Sequence, residues 1–407
     1  MMKRPLLIIL FLVYSLALFA GSYAMGASNW PLSEFGLASS RVPQEAQEVF
    51  DPFWEVWNLA NELYYDQPLK PTVLMEGAIE GMLAQLDDQN TRYLPPAAEE
   101  SARETMEGEI QGIGVLVEMV DEQITVVSPF EGSPAEAAGI RPGDVLLEAD
   151  GADLTEMDLS AAAALIRGPA GTTVHLVVLR GDDTLEFEVT RDVVQIPSVR
   201  GEILEEDVAF VRLNRFGNRT PQELEMVLEE LMAQNPQGMI LDLRNNPGGG
   251  LGSSVDIADQ FLGEGVVLTE QFGTGRERVF RSSDSGLAQD IPLVVLINEG
   301  SASASEVLAG AIRDRDRGTL LGESTFGKGT VQTWHGLSNG GGVRITTARW
   351  LTPDGNWIDD DGLTPDVVVP APEIQPDQPF EDTQLQAAID ELREIIGAAE
   401  VQTPEVN

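Results

Sequence analysis

The sequence predicts an α/β core, a largely parallel sheet with covering helices, joined to a small α+β or barrel-like module and an N-terminal helical segment. Three observations carry this. First, the runs "GMILDLRNN" and "IPLVVLINEG" are continuously apolar, and each leads into a helical stretch. Strands without a polar face belong to a sheet covered on both sides. Second, short β-rich runs crowd the stretch between Gly108 and Asp192. Third, Phe50, Phe53, Trp54 and Trp57 recur at i, i+3, i+4 and i+7, which is one helical face. A chain of 407 residues is too long for one core, so several domains are expected.

In chain order, residues 1–27 read "MMKRPLLIILFLVYSLALFAGSYAMGA". A basic start at Lys3 and Arg4, an apolar run from about Leu6 to Ala20, and small residues after it form a secretory signal peptide or N-terminal membrane anchor. The remainder is then expected outside the cytoplasm: secreted, periplasmic or in the cell envelope. Residues 28–44 read as a polar linker. Residues 45–107 form the helical segment. Its second helix begins after Pro71 with Met75, Ile79, Met82, Leu83 and Leu86 inward, and a polar third helix covers about Ala97 to Met106. Residues 108–192 hold five strand-like runs, from "GVLVEMV" to "TLEFEVTRD", and two helical pieces, "SPAEAAG" and "DLSAAAALIRG". Residues 193–372 alternate strand and helix, with Thr220 as a helix N-cap. Residues 373–407 are an acidic, Pro-containing linker and a C-terminal helix with Leu385, Ile389, Leu392 and Ile396 on one face.

Composition narrows the function. A net charge of −42 argues against a nucleic-acid partner, which would need clustered Lys and Arg. It argues equally against anionic lipid beyond the N-terminal segment. The chain has no cysteine, hence no disulfide scaffold, thiol nucleophile or Cys-ligated metal. Two histidines, His175 and His335, leave little for a His-rich metal site. No metal and no cofactor is expected. The export signal argues against ATP-driven chemistry.

The chemistry centres on a lysine. The chain has 22 Arg but only Lys3, Lys70 and Lys328, and Lys328 stands between two glycines in "TFGKGT". Burial can make a lysine neutral and basic, whereas arginine stays charged. In "LVVLINEGSASASEVLAGAIRD" a strand turns into a helix, and a serine there faces free helix N–H groups. Ser303 can be a nucleophile beside a base. It also begins S-x-x-E, a capping box with Glu306, so a plain cap is the competing reading. "DLRNNPGGG" is either a simple turn or a set of bare N–H groups aimed at an oxyanion. "GESTFGKG", residues 322–329, approaches a P-loop but puts Gly329 where a hydroxyl is needed and Glu323 in the phosphate cradle. His335, beside Trp334, is the weaker candidate for a base.

Together "GSASASE", "GESTFGKGTVQ", "LDLRNNPGG", "TPDGNWIDDDGLTPD" and "QGIGV" resemble the signatures of the C-terminal processing peptidases, also called tail-specific proteases, over roughly residues 45–372. The resemblance implies a serine endopeptidase acting on polypeptides with free C-termini. Ser303 would be the nucleophile, Lys328, 25 residues later, the base, and Gln332 the group that orients it. The oxyanion hole would combine the amide of Ala304 with that of Gly248 or Gly249. Residues 108–192 would be a PDZ domain, with Gly112, Ile113, Gly114 and Val115 as its carboxylate-binding loop. Arg167, in "LIRGPAGT", would couple that domain to the active site or else be a solvated helix-end arginine. Trp350 replaces a frequent tyrosine of the family, and Asn90-Thr91 its usual His-Ser, both expected to lie away from the chemistry. A homo-oligomer is compatible with the sequence. The alternatives are a catalytically inactive PDZ-bearing adapter and a related hydrolase of small molecules.

Overall fold

The computed structural model describes residues 44–120, 123–130, 132–155, 157–359, 361–371 and 381–402. The expected signal or anchor segment, nearly all of the 28–44 linker and the 373–380 stretch lie outside the described residues. The chain divides into two compact units, Met1–Leu74 and Met75–Asn407. In the first, the aromatic spacing yields α1 (Gln44–Leu63). Phe50, Phe53, Trp54 and Trp57 form one ring cluster with centroids 5.0–6.3 Å apart. Phe50 and Trp54 remain exposed. Helix α2 (Pro71–Leu83) opens on its proline and crosses the unit boundary. Met82 and Leu86 are exposed and only Leu83 is buried, so its inward stripe is narrower than the spacing predicts.

In the second unit, β1 (Arg92–Leu94) and α3 (Pro96–Glu107) follow α2. A small module follows: β2 (Glu109–Gly112), β3 (Val115–Val120), β4 (Gln123–Pro129), α4 (Pro134–Ala138), β5 (Val145–Ala149), β6 (Ala152–Asp153), α5 (Leu159–Ile166), β7 (Thr173–Arg180), β8 (Asp183–Thr190) and β9 (Asp192–Gln195). Its antiparallel sheet runs β3-β4-β5-β7-β8. Alternation along β7 buries Val174, Leu176 and Val178 on one face, the period-2 pattern of a sheet with a single core side. Strand β3 ends this sheet, and among the described residues one of its edges has no strand beside it. Strands β2 and β9 pair as a stem, Gly112 opposite Asp192.

The core contains β10 (Val199–Leu204), β11 (Val208–Leu213), α6 (Thr220–Met232), β12 (Gly238–Asp242), α7 (Leu251–Phe261), β13 (Gly265–Phe272), β14 (Glu277–Ser282), β15 (Leu293–Ile297), α8 (Ala304–Asp314), β16 (Thr319–Gly322), β17 (Thr330–Gly336), β18 (Gly342–Leu351), β19 (Val367–Val368) and α9 (Thr383–Gln402). One sheet runs β10-β11-β12-β15-β16-β19 and is parallel except for β10 on β11. Every residue of β12 and β15 is buried, as their apolar runs predict. Val295 and Ile297 join the cluster that holds residues of α6, α7 and α8. Val294 and Leu296 join the cluster of α9, with Ala388 and Leu392. The C-terminal helix, which the sequence sets apart in a 373–407 tail, is therefore a covering layer of the core.

A second, antiparallel sheet was not expected: β1-β18-β13-β14, with β17 on the other edge of β18. Thr220 is also placed differently. It is the first helical residue and Arg219 the N-cap. Its hydroxyl accepts from the Gly217 N–H at 2.9 Å and bonds Ser198 Oγ at 2.7 Å. Because Leu392 fills the far face of the sheet, Leu392→Ala should lower the unfolding free energy by about 2–5 kcal/mol in urea titration. A change within experimental error would mean that α9 is not a layer of the core.

Candidate active site

The "SASAS" run separates its serines by their backbone geometry. Ser301 and Ser305 are fully buried and both are tied down. Ser301 Oγ donates to Leu243 O at 2.9 Å, and Ser305 Oγ donates to Asn246 O at 2.9 Å. Ser303 lies at φ 56° and ψ −112°, a positive φ that costs a non-glycine residue energy. It stands at the N-terminus of α8 and lines a cavity of about 90 Å³ with Ala304, Gly249, Lys328, Gln332, Trp334, Arg344 and Trp350. The capping box is formed as well, its Glu306 arm accepting from the Ser303 N–H at 2.7 Å. The two readings of Ser303, cap and cavity residue, thus coexist.

Glu306 does more than cap. It is fully buried. Its Oε1 accepts from Thr325 Oγ1 and the Gly327 N–H, each at 2.7 Å. Its Oε2 accepts from the Lys328 N–H at 3.0 Å in addition to Ser303. One carboxylate therefore joins the serine turn to the lysine loop. The glycines beside Lys328 serve close packing. A Cβ on Gly329 would lie 1.5 Å from Ile358 O, and Gly327 has φ +90°. The Lys328 carbonyl accepts from Trp350 Nε1 at 2.9 Å. Phe326, two residues before the lysine and apolar, is exposed; the buried Trp350 lines the cavity. Trp350 thus lines the candidate site, contrary to expectation.

Burial brings the Lys328 ammonium down from 10.5 to about 8, because its charged form loses hydration. Arg344 and Arg92 push the same way, while Glu306 and Asp88 oppose them. Gln332 lines the same cavity, and its Nε2 donates to Thr330 Oγ1 at 2.9 Å and Thr346 Oγ1 at 3.2 Å. Those bonds fix the amide and leave its carbonyl oxygen as acceptor.

The two oxyanion candidates on the glycine turn separate. Gly248 donates its N–H to Asn246 Oδ1 at 2.9 Å, so that amide is already engaged. Its role is close approach: a Cβ there would lie 2.9 Å from Ser303 Cβ and 2.8 Å from Ala304 N. Gly249 lines the cavity beside Ala304. Ala304 is the first residue of α8, where the N–H has no intrahelical acceptor.

The Gly112–Val115 loop lies in the small module. Ile113 is buried in the module core, and its carbonyl accepts from the Ala135 N–H at 2.8 Å. Gly114 has φ +71°, and a Cβ on it would meet Ser133 Cβ at 2.6 Å. Val115 starts the edge strand β3. Arg167 ends α5 and is exposed, with its Cγ 3.7 Å from where a Cβ on Gly112 would lie. It is not among the residues lining the serine cavity.

A model of peptidase family S41 matches residues 207–369, and a PDZ domain model matches 125–180. The chain is 39% identical over 347 residues to a carboxyl-terminal-processing protease of Synechocystis, covering 83% of this chain and 81% of that one. The chain belongs to the C-terminal processing peptidases of family S41. It is also 35% identical over 340 residues to the carboxy-terminal processing protease CtpA of Bacillus subtilis, covering 82% of this chain and 73% of that one. An S41 protease structure from Bacteroides fragilis shares the fold, with a TM-score of 0.55 at 15% identity, over 91% of this chain and all of the other.

Within this S41 peptidase the rival motifs fall away on geometry. The Gly327 and Lys328 amides, which a P-loop would turn to phosphate, are occupied by Glu306. His335 is exposed on β17 and is not among the cavity-lining residues. Sequence reasoning missed Asn246, Trp350 and Arg344 and gave Glu306 only a capping role. Glu306→Gln turns one acceptor oxygen into a donor that faces two donors. It should cost roughly 2 kcal/mol or more of stability. It should also lower kcat/KM at least about tenfold, a loss of about 1.4 kcal/mol of transition-state stabilisation. Thermal unfolding and steady-state kinetics that both match the wild type would contradict the clamp.

Proposed function

We propose that this chain is an exported serine endopeptidase that cuts near the C-termini of loosely folded proteins with a Ser303–Lys328 dyad. The observation that supports this most is the contrast within one run of serines: Ser301 and Ser305 are buried in backbone hydrogen bonds, and Ser303 faces a cavity shared with Lys328. Neutral Lys328 accepts the Ser303 proton as Oγ bonds to the scissile carbonyl carbon. The amides of Gly249 and Ala304 receive the developing oxyanion. The C–N bond breaks as Lys328 returns the proton to the leaving amine, and water then releases the acyl group by the same route. Gln332 is the positioning residue for Lys328.

The PDZ domain is assigned the tail. The free edge of β3 accepts an added peptide strand, and the Gly112–Val115 turn at its start receives the terminal carboxylate. Arg167, packed against Gly112, reports occupancy of that turn. Export rests on the sequence of residues 1–27; among the described residues no helix is long and apolar enough to cross a membrane.

Ser303→Ala and Lys328→Ala should each remove at least about a thousandfold of kcat/KM on a tail-bearing peptide, since nucleophile and base act as a unit. Lys328→Arg should be nearly as inactive, because guanidinium does not give up its proton. Substantial cleavage by Lys328→Arg would refute the dyad. A wild-type enzyme with no peptidase activity would instead favour the adapter reading.

The rate should also follow the lysine. With its pKa lowered to about 8, the protonated, inactive form dominates below that pH, and kcat/KM should rise through it to a plateau on the alkaline side. A profile already flat from pH 6 upward would contradict Lys328 as the base.

A further inference from the structure

Among the described residues, two arginines that meet in the catalytic unit, Arg344 and Arg92, form no ion pair. Arg344 lines the cavity, stacked with its guanidinium carbon 4.9 Å from the centroid of the Trp334 ring. Its Nε is buried and has no hydrogen-bond acceptor among the described residues. Directly opposite it in the β1–β18 ladder stands Arg92, and like charges facing across a ladder destabilise it. The carboxylates that act on Lys328 are already engaged. Asp88 accepts from the Asn90 N–H and the Thr91 hydroxyl, and Glu306 from its four donors. Acids are not scarce in a chain with 67 Asp and Glu. An unpaired arginine on the wall of an active-site cavity, with a second arginine beside it in the ladder, therefore leaves room for an anion that comes from elsewhere. Cations packed together and held by an aromatic face are preorganised for a planar anion, and guanidinium grips carboxylate by two parallel hydrogen bonds.

We propose that Arg344, backed by Arg92, is a subsite of the active centre that binds a carboxylate of the polypeptide substrate. This rests on the Ser303–Lys328 reading of the same cavity. Since Ser303 and Arg344 share that small cavity, the carboxylate belongs to the residues next to the scissile bond. It is either an Asp or Glu side chain there or the terminal carboxylate of a short tail. Lys328 cannot serve as its partner without losing its function as a base.

The test uses the full chain and four matched peptides: Glu or Gln beside the scissile bond, each as free acid or C-terminal amide. The kcat/KM ratio between charged and neutral partners is compared in wild type, Arg344→Gln, Arg344→Lys and Arg92→Gln. Comparing ratios at one pH cancels any change in Lys328. The expected wild-type preference for the charged peptide is roughly ten- to hundredfold, the strength of charge-assisted bonds. Arg344→Gln should bring the ratio near one in one arm, either the side-chain or the terminal pair, and that arm identifies the source. Arg344→Lys should keep part of it. Arg92→Gln, at an exposed position, should reduce it even if Arg344→Gln does not fold. Ratios unchanged in both arms, in Arg344→Gln or, should that variant not fold, in Arg92→Gln, overturn the subsite. Ser303→Ala, run in parallel, tests the dyad separately: cleavage surviving there refutes the dyad, whatever the ratios are.

Discussion

Glu306 sits fully buried at the start of α8 and accepts hydrogen bonds from Ser303, Thr325, Gly327 and Lys328. An isolated carboxylate could not be buried this way; its charge is tolerable only because donors converge on it. Those donors come from two stretches about twenty residues apart, the turn before α8 and the loop between β16 and β17. Their relative position is thereby fixed by one side chain. Asn246 fixes the third wall in the same manner. Its carbonyl accepts from the Ala302 N–H and Ser305 Oγ, while its side chain holds the Gly248 turn and Leu213 O. The cavity exists because these two buried polar groups tie three loops at the carboxyl ends of adjacent sheet strands, where α/β sites are found.

The same constraint shapes the electrostatics. A chain of net charge −42 is poorly suited to discharging a lysine, since surrounding acids favour the ammonium. Locally the balance is reversed. Burial strips hydration from Lys328, and the neighbouring charges include Arg344 and Arg92. Glu306 is close enough to oppose this, yet its carboxylate is saturated by backbone and hydroxyl donors and is not bonded to the lysine head group in the described hydrogen bonds. The acidic surface and the basic pocket are therefore separate properties of one chain.

How much of this the sequence disclosed depends on how local each signal is. The apolar strands β12 and β15 and the helices between them were legible because burial on two faces leaves an unbroken apolar run. Ser303 and Lys328 were legible as candidates because a strand-turn-helix junction and a glycine-flanked lysine are short motifs. The second sheet was not, because β14 and β17 are largely exposed and show no clean alternation. Glu306 read only as a cap, since its other donors lie about twenty residues away. That the Gly248 amide is already engaged follows from the Asn246 side chain, which no spacing rule reveals. Arg344 carries no local signal at all: its meaning comes from Arg92, far away in sequence and opposite it in the ladder.

The most direct measurement of the account is the site of covalent labelling. A fluorophosphonate reacts with an activated serine hydroxyl, and mass spectrometry of the labelled, digested chain reads which serine carries the adduct. The account predicts a single adduct on Ser303, absent when Lys328 is replaced by arginine. An adduct on Ser301 or Ser305, or labelling of Ser303 that is indifferent to the loss of Lys328, would contradict it.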